Sequence, residues 1–359
     1  MNNISTVFRE RGEYTGGLDL NRRFDDVIAF HKSIDCYEIT PMRRLKCLAA
    51  SLGVKEIYVK DESYRFGLNA FKGLGVSYAL DRILKDKPAG ETLHFVSCTD
   101  GNHGRALAWR AGSLGHKTTI FMPKGAEERR IKAIEAFGAE VITTEYNYDD
   151  TVRLAKKFAD ENGAYLVQDT ALPGYEDVPT DIVYGYTTMA AEALDQIDEK
   201  PTHVFLQAGV GSMAGGAVMY LCSIYGGDLP HIGTLEADSC ACIYESARQD
   251  RPVAIGGITE TAMAGLNCGE ANPITLPLLL AKCSSFSKCS DDVTFLGMEM
   301  AVNPVGTDEK FSSGESGAVG LGFIKLILTD PKYAEYKEKI GLDENSVVLL
   351  FSTEGVLEG

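Results

Sequence analysis

The sequence predicts an α/β fold built from mostly parallel sheets that are covered by helices on both faces. Short β-rich runs alternate with longer stretches of helical periodicity, a pattern typical of βαβ units with right-handed crossovers. The length of 359 residues, 45% of them hydrophobic, is enough for about two domains of roughly 150 residues each. Clusters of Pro and Gly interrupt the pattern at KDKPAG (85–90) and LPGYEDVPT (172–180). We therefore expect two doubly wound, three-layer domains: a larger one of residues 1–85 and 172–359, and a smaller one, 86–171, inserted into it.

The individual elements follow one another clearly from residue 93 onward. Apolar runs of five or six residues predict strands, and stretches with apolar residues at helical spacing that end at a glycine predict helices. The predicted helices are GRALAWRAGSLG (104–115), EERRIKAIEAFG (127–138) and DDTVRLAKKFADENG (149–163). The predicted strands are LHFVSC (93–98), KTTIFM (117–122), EVITT (140–144), AYLVQ (164–168), HVFLQ (203–207), HIGTLE (231–236) and SVVLLF (346–351).

Charge and composition exclude several classes of partner. The net charge of −16 and the isoelectric point near 4.9 argue against nucleic acid and against an anionic membrane surface. No run approaches the roughly 18 apolar residues that a membrane-spanning helix needs. The polar start MNNISTVFRERGEY predicts that no secretory signal is present. We therefore expect a cytoplasmic protein whose partner is a small molecule.

The cysteines and histidines give no sign of a metal site. The nine cysteines include no C-x-x-C pair, and the six histidines show no H-x-x-x-H spacing. In a reducing cytoplasm free thiols are favoured. A disulfide between Cys242 and Cys268 is the alternative, because both residues flank the site predicted below.

A glycine-rich loop follows one of the predicted strands. The segment GVGSMAGG (209–216) comes directly after HVFLQ and opens an apolar helix. Glycines allow close approach of the backbone to a ligand, and the amides of a first helical turn attract an anion. The loop lacks the Gly-Lys-Ser/Thr of a P-loop and departs from the dinucleotide fingerprint G-x-G-x-x-G. A small phosphate group is therefore favoured over the alternative, a tight turn that only needs small residues.

A lysine lies in a second glycine-containing segment, LNAFKGLG (68–75). We expect Asn69 to cap the helix that follows, which places Lys72 in its first turn. The positive end of the helix dipole opposes a cation there, so the pKa of Lys72 is expected to be lowered, as a Schiff-base lysine requires. The alternative is an exposed lysine with its charge in water.

A third segment, SCTDGNHG (97–104), joins a predicted strand to a predicted helix. Asp100 is either a helix cap or, at a strand end beside a reactive lysine, a proton-transfer group. Asn102 and His103 are consistent with turn residues. In open parallel sheets ligands bind at the carboxyl ends of strands, so we expect the three segments to meet at one site.

Together the three segments resemble the fold-type II enzymes of pyridoxal phosphate, the group of tryptophan synthase β, threonine dehydratase and serine racemase. Phe71-Lys72, Thr99 to His103 and Gly209 to Gly216 match the group's signatures in order. Within that group the chain is most similar to the diaminopropionate ammonia-lyases. The supporting strings are FGLNAFKGLG, TDGNHGRALAW, MPKGAEERR, NYDDTVRLA, VQDTALPGY, QAGVGSMAGG, MAGLNCGE, SGESGA and FSTEG.

The resemblance implies a role for each matched position, with pyridoxal 5'-phosphate as the cofactor. Lys72 forms the Schiff base with the cofactor, Asn102 hydrogen-bonds its phenolic oxygen and Phe71 packs near its ring. Ser352 or Thr353 meets the pyridine nitrogen, where a neutral hydroxyl favours elimination over transamination. The phosphate is held by loop amides and one serine hydroxyl, from Gly209, Val210, Gly211, Ser212, Met213 and Gly215.

The resemblance also implies the reaction, an α,β-elimination that converts 2,3-diaminopropionate to pyruvate and ammonia, as a carbon–nitrogen lyase does. Lys72 and Asp100 are the expected bases on opposite faces of the substrate, so that both enantiomers react. Asp169 is expected to orient the substrate's β-ammonium, and Tyr148 to line the same pocket. A homodimer is implied by analogy with relatives.

Three alternatives stay open at this point. Dehydration or racemisation of serine or threonine uses the same scaffold, but a hydroxyl leaving group needs no anionic partner such as Asp100, where dehydratases usually carry a small or hydroxyl residue. A non-catalytic cofactor-binding subunit is disfavoured by the intact Lys72, Asp100 and Asp169. A dinucleotide-dependent dehydrogenase lacks its fingerprint here. Glu315 and Glu354 are left as surface or cap residues.

Overall fold

Two β-sheets organise the chain, whose computed structural model describes residues 3–88, 90–99, 101–257 and 259–357. The larger sheet has seven strands in the order β1-β10-β9-β8-β11-β3-β2, and the smaller has four in the order β6-β5-β4-β7. The strands are β1 (Ile4–Phe8), β2 (Met42–Arg44), β3 (Glu56–Asp61), β4 (His94–Cys98), β5 (Lys117–Met122), β6 (Glu140–Thr143), β7 (Tyr165–Leu166), β8 (His203–Gln207), β9 (His231–Ala237), β10 (Ser285–Cys289) and β11 (Val347–Ser352).

Helices connect these strands and cover both faces of each sheet, as the predicted alternation requires. Short 3-10 turns add to them at Glu62–Gly67, Asp238–Cys240, Ala264–Leu266 and Pro331–Tyr333. The α-helices are α1 (Asp25–Lys32), α2 (Lys46–Leu52), α3 (Gly73–Leu84), α4 (Asn102–Ser113), α5 (Glu128–Glu135), α6 (Tyr148–Asn162), α7 (Asp177–Asp195), α8 (Ser212–Tyr225), α9 (Cys242–Gln249), α10 (Leu276–Lys282), α11 (Asp291–Val302), α12 (Val319–Thr329) and α13 (Ala334–Ile340).

The interior strands of both sheets run parallel. In the larger sheet only the edge strands β1 and β2 are antiparallel to their neighbours, and every pairing in the smaller sheet is parallel. Strands β8 and β11 are buried along their whole length, which is typical of a sheet with helices on both faces. The predicted α/β class and the mostly parallel sheets are therefore confirmed.

One hydrophobic core joins the two sheets. It includes Leu74 and Leu80 of α3 and Leu107 of α4, so it continues from the larger sheet to the smaller one. The single tryptophan, Trp109 of α4, stacks on Phe66, with ring centroids 5.1 Å apart. A second core lies on the other face of the larger sheet, among α2, α11, α12 and α13. A third lies beneath α6 on the smaller sheet.

The smaller sheet is made entirely of strands between residues 94 and 166. These bounds agree with the expectation that residues 86–171 form an inserted domain, although the division of the chain into domains stays a prediction. None of the helices in the described ranges combines the length and the apolar character needed to cross a lipid bilayer.

Candidate functional site

A cavity opens between the two sheets, at the carboxyl ends of their strands, with about 720 Å³ of empty space when the part open to solvent is included. Five of the wall segments follow a strand: β3 leads to Lys72, β4 to Asn102, β7 to Asp169, β8 to the glycine loop and β11 to Thr353. This is the position at which parallel α/β folds bind ligands. The wall segments of most consequence are Phe71–Lys72, Gly101–His103, Asp169, Gln207–Met213 and Thr353–Glu354.

Lys72 and Asp169 form an ion pair at the centre of the cavity. Lys72 Nζ lies 2.5 Å from Asp169 Oδ2, and the Asp169 side chain is 2% exposed. Burial is the largest single effect and disfavours both charges, but the opposite charge, the hydrogen bond between the two groups and other neighbouring groups together outweigh it. The pKa of Lys72 is therefore raised and the pKa of Asp169 is lowered to about 2. The expectation of a lowered lysine pKa was wrong, because it considered the helix dipole and not this carboxylate.

The start of helix α3 also differs from the expectation. Asn69 does not cap it: its backbone adopts a left-handed conformation with φ of 57°, and its side chain donates to the Val356 carbonyl at 3.0 Å. The helix begins at Gly73, so Lys72 occupies the N-cap position instead of the first turn. The lysine is consequently held at the boundary between loop and helix, facing the cavity.

Asp169 is held by neighbours on its other oxygen. Tyr148 Oη donates to Asp169 Oδ1 at 3.4 Å and accepts from Gln168 Nε2 at 2.7 Å. Gln168 in turn accepts from the Cys98 amide at 2.9 Å, which ties the end of β7 to β4. Asp169 Oδ2 is consequently the oxygen that faces the ammonium of Lys72.

The glycine loop presents unpaired amides to the cavity. Within the part of the chain that the structure describes, the backbone N–H groups of residues 210–214 have no hydrogen-bond partner. Gly211 has φ of +92°, and a Cβ there would lie 2.9 Å from Ile243 Cδ1. A Cβ on Gly209 would lie 3.2 Å from the Cys268 sulfur. The loop is therefore a concave set of donors at the N-terminus of α8, suited to a phosphate.

Two of the residues predicted to hold the phosphate make hydrogen bonds within the protein instead. The Ser212 hydroxyl donates to the Asp169 carbonyl and accepts from Asn272 Nδ2 at 2.8 Å. The Gly215 amide donates to the Gly211 carbonyl at 2.8 Å, and the Gly215 Cα packs against the side chain of Thr275. The loop amides, more than this hydroxyl or Gly215, are thus the donors available to a ligand.

The residues predicted to surround the cofactor ring lie together. Phe71 and Thr353 line the cavity, whereas the Ser352 hydroxyl donates to the Ser313 hydroxyl at 2.7 Å and is not part of the wall. Asn102 Nδ2 donates to Glu354 Oε2, and Asn102 Oδ1 lies 3.4 Å from an Arg105 nitrogen. Asp100, predicted to be a base, lies outside the described residues.

These features fit pyridoxal phosphate. A buried primary amine suits attachment of the aldehyde, the unpaired loop amides suit the phosphate, and the neutral Thr353 suits the pyridine nitrogen.

Several site residues were not predicted, because the contacts that place them in the site exist only in the folded chain. His103 lines the cavity, 4% exposed, with Nδ1 4.0 Å from Asp169 Oδ2. Glu354, left as a surface or cap residue, is 6% exposed in the wall and accepts from the Ser316 amide at 2.9 Å. Asn272 donates to the Asp169 carbonyl at 3.2 Å. Glu315 is partly exposed, and its carboxylate lies 3.9 Å from Arg129.

The disulfide between Cys242 and Cys268, which the sequence left as the alternative, is not formed. Cys242 has a free thiol. Burial raises the pKa of the Cys242 thiol, which keeps it protonated and unreactive.

Comparison with known proteins relates the whole chain to one family. The family model described as pyridoxal-phosphate dependent enzyme matches residues 35–352. Diaminopropionate ammonia-lyase of Escherichia coli (strain K12) is 46% identical over 344 residues, which cover 91% of this chain and 86% of that protein. The diaminopropionate ammonia-lyase of Salmonella typhimurium is 42% identical over 356 residues, covering 92% of this chain and 88% of that protein.

Solved structures agree with the sequence relatives. The Escherichia coli diaminopropionate ammonia lyase, crystallised with an aminoacrylate-PLP azomethine reaction intermediate, superimposes with a TM-score of 0.94 at 42% identity, covering 100% of this chain and 95% of that one. Maize serine racemase shares the fold, with a TM-score of 0.76 at 21% identity and 92% of each chain covered. The chain therefore belongs to the pyridoxal-phosphate dependent enzymes and, within them, to the family of the diaminopropionate ammonia-lyases.

Proposed function

We propose that this enzyme eliminates ammonia from 2,3-diaminopropionate, consuming one water and releasing one pyruvate and two ammonia. The observation that carries the proposal is the buried carboxylate of Asp169, which already binds a primary ammonium, that of Lys72, at 2.5 Å inside the cavity. A diamino acid brings the same chemical group to the site, whereas serine and threonine bring a neutral hydroxyl. The whole-length similarity to diaminopropionate ammonia-lyases supports the same substrate.

The cofactor is assigned to the cavity through residues of this chain. Lys72 Nζ is the site of covalent attachment, the amides of residues 210–214 receive the phosphate, and Thr353 receives the pyridine nitrogen. Phe71 would pack beside the ring, and a second amide hydrogen of Asn102 would be available to the phenolic oxygen. Pyridoxal phosphate, when bound, supplies an electron-withdrawing ring that stabilises negative charge at the α-carbon of the substrate.

Asp169 binds the substrate's β-ammonium in this proposal. Its lowered pKa keeps it ionised at neutral pH, so it attracts a cation and cannot itself be the initial proton donor. Tyr148, bonded to the other carboxylate oxygen, orients it. Because the β-ammonium arrives protonated, it leaves as neutral ammonia without needing a further acid.

Two bases act on the α-proton. Lys72, once released from the cofactor, takes it on one face, and Asp100 takes it on the other, which allows both enantiomers to react. We expect Asp100→Asn to lose activity by about 10²-fold or more on one enantiomer and by far less on the other, the range of a single general base. Pyruvate formation from each pure enantiomer measures this. Equal losses on both would assign Asp100 to substrate orientation.

The experiment that tests the function is a single titration. The visible spectrum of the purified, cofactor-loaded protein is recorded before and after 2,3-diaminopropionate is added, and pyruvate is assayed in the same cuvette. A shifting band with pyruvate supports the proposal. A band without pyruvate directs attention to serine and threonine, and no band after addition of pyridoxal phosphate contradicts it.

A homodimer and a cytoplasmic location complete the proposal. Light scattering on the loaded enzyme is expected to give twice the chain mass of 38.9 kDa. The free thiol of Cys242 is consistent with a reducing compartment.

A further inference from the structure

His103 places a buried acceptor without a hydrogen-bond partner in the wall of the cavity. Its Nε2 lies 2.8 Å from the Val167 carbonyl, which only accepts, so Nε2 carries the proton of the neutral ring. Its Nδ1 then carries a lone pair, and among the described residues no group donates to it. A buried polar atom in this state is costly unless a ligand satisfies it.

The lone pair faces the position where an ammonium binds. His103 Nδ1 lies 4.0 Å from Asp169 Oδ2, the oxygen that accepts from Lys72 Nζ at 2.5 Å. Burial lowers the pKa of His103, so the ring stays neutral and retains its acceptor at neutral pH. Two acceptors side by side in a buried site repel each other unless one donor with several N–H groups lies between them.

We propose that His103 Nδ1 and Asp169 Oδ2 together accept from the substrate's β-ammonium, which makes His103 a specificity-determining residue. This inference rests on the proposed function. An ammonium has three N–H donors and satisfies both acceptors at once, whereas the hydroxyl of serine has one donor and leaves one acceptor unpaired. Sites built around paired polar groups reject analogues that cannot satisfy them.

Two substitutions separate this role from a structural one. In His103→Gln the amide nitrogen reaches the position of Nε2, so the bond to Val167 is kept and the acceptor is removed. In His103→Asn the amide oxygen takes the position of Nδ1, so the acceptor is kept and the bond to Val167 is lost. His94→Gln is the matched control, because His94 bonds Thr119 at 2.8 Å and lies outside the cavity wall.

The readouts are binding and turnover on two ligands. Dissociation constants for 2,3-diaminopropionate and for D-serine, which the Escherichia coli relative has been crystallised with, come from titration of the cofactor's visible band. For His103→Gln we expect the dissociation constant and KM for 2,3-diaminopropionate to rise about tenfold, as for one lost hydrogen bond to a charge, and the D-serine constant to change by less than about twofold. His103→Asn should keep the wild-type preference for the diamino acid while its melting temperature falls.

The outcomes distinguish a failure of the proposed function from a failure of the proposed role of His103. If the wild-type enzyme forms no pyruvate from 2,3-diaminopropionate, the proposed function fails whatever the variants do. If it does, and His103→Gln weakens both ligands equally or neither, the role of His103 is overturned. If His103→Gln does not load the cofactor, the decision rests on His103→Asn: retained preference supports the proposal and a lost preference overturns it.

Discussion

At Lys72 Nζ two opposing effects act on the same proton. Burial favours the neutral amine, and the carboxylate of Asp169 favours the ammonium and prevails, which raises the pKa. Attachment of the cofactor needs the neutral amine, because only its lone pair attacks an aldehyde. The ion pair with Asp169 therefore favours the charged, unreactive form of the lysine.

This pairing makes cofactor loading pH-dependent. The raised pKa of Lys72 lies above pH 9, so the neutral fraction of the amine grows about tenfold per pH unit between pH 7 and pH 9. The rate of cofactor loading should grow in the same proportion. The appearance of the visible band after mixing measures the rate. In Asp169→Asn burial acts without the opposing anion, so the pKa of Lys72 falls and the pH dependence should flatten. A pH-independent rate in the wild-type protein would contradict this account.

Removal of the amine tests the attachment itself. Lys72→Ala should bind the cofactor without the visible band of the lysine-bound form, and pyruvate formation should fall by about 10³-fold or more, since both the attachment point and one base are lost. Lys124→Ala is the control, because Lys124 is exposed and pairs with Glu145 at the surface. An unchanged spectrum in Lys72→Ala would remove the lysine from this role.

The resemblance to the ammonia-lyases pointed to Lys72 and Asp169 but not to the ion pair between them. The two residues are 97 positions apart, and their ion pair exists only because β3 and β7 end at one cavity. The sign of the lysine pKa shift could not be predicted without that contact. His103 was overlooked for the same reason, since its proposed role depends on the proximity of its Nδ1 to Asp169.

At the level of elements, the loop between β8 and α8 combines two requirements. It must turn sharply at Gly211, with φ of +92°. It must also leave the backbone N–H groups of residues 210–214 available to bind a ligand. A side chain at Gly211 itself is excluded, because its Cβ would lie 2.9 Å from Ile243 Cδ1 and 3.0 Å from Leu279 Cδ1. Pattern alone predicted this strand–loop–helix unit, since its glycines and flanking apolar runs are contiguous in the sequence.

The loop geometry gives a prediction for Gly211→Ala. The left-handed backbone and the contact with Ile243 should cost about 1–3 kcal/mol of stability and weaken cofactor binding by at least about tenfold, measured by titration of the visible band. Gly163→Ala is the matched control: Gly163 is also left-handed, with φ of +60°, but ends α6 in open space. It should lose stability without losing cofactor. Equal loss of cofactor in both would mean that the effect of Gly211 is global.

Four strands were not predicted from the sequence patterns. The seven strands that were predicted are present, but β1, β2, β3 and β10 were not among them. Strands β1 and β2 are antiparallel edges, where partial exposure removes the continuous apolar run. Strand β3 carries acidic residues at both ends, Glu56 and Asp61, which are buried only because Arg44 and Arg43 pair with them. Those partners come from the neighbouring strand β2, whose pairing with β3 was not predicted.

For the molecule as a whole, the shape of the cavity depends on a fixed position of the smaller sheet relative to the larger one. Lys72 reaches the site from the larger sheet, and Asp169 and His103 reach it from the smaller one. Helices α3 and α4 bury their facing sides in a single core, so the position of the smaller sheet is fixed by packing and not by the connecting segments alone. An inserted domain with its own core would lack this constraint.

The shared core predicts that the two sheets unfold together. Trp109 is the only tryptophan and stacks on Phe66 where α4 meets the larger unit, so its fluorescence reports this junction. In the cofactor-free protein the melting midpoints from tryptophan fluorescence and from far-ultraviolet circular dichroism should agree within about 2 °C, as for a cooperative transition. Phe66→Ala, which removes the stacked ring, should lower both midpoints by the same amount, and added cofactor should raise both. A fluorescence transition several degrees below the dichroism transition would show that the smaller unit separates first, and the site would then be assembled by docking of two independently stable domains.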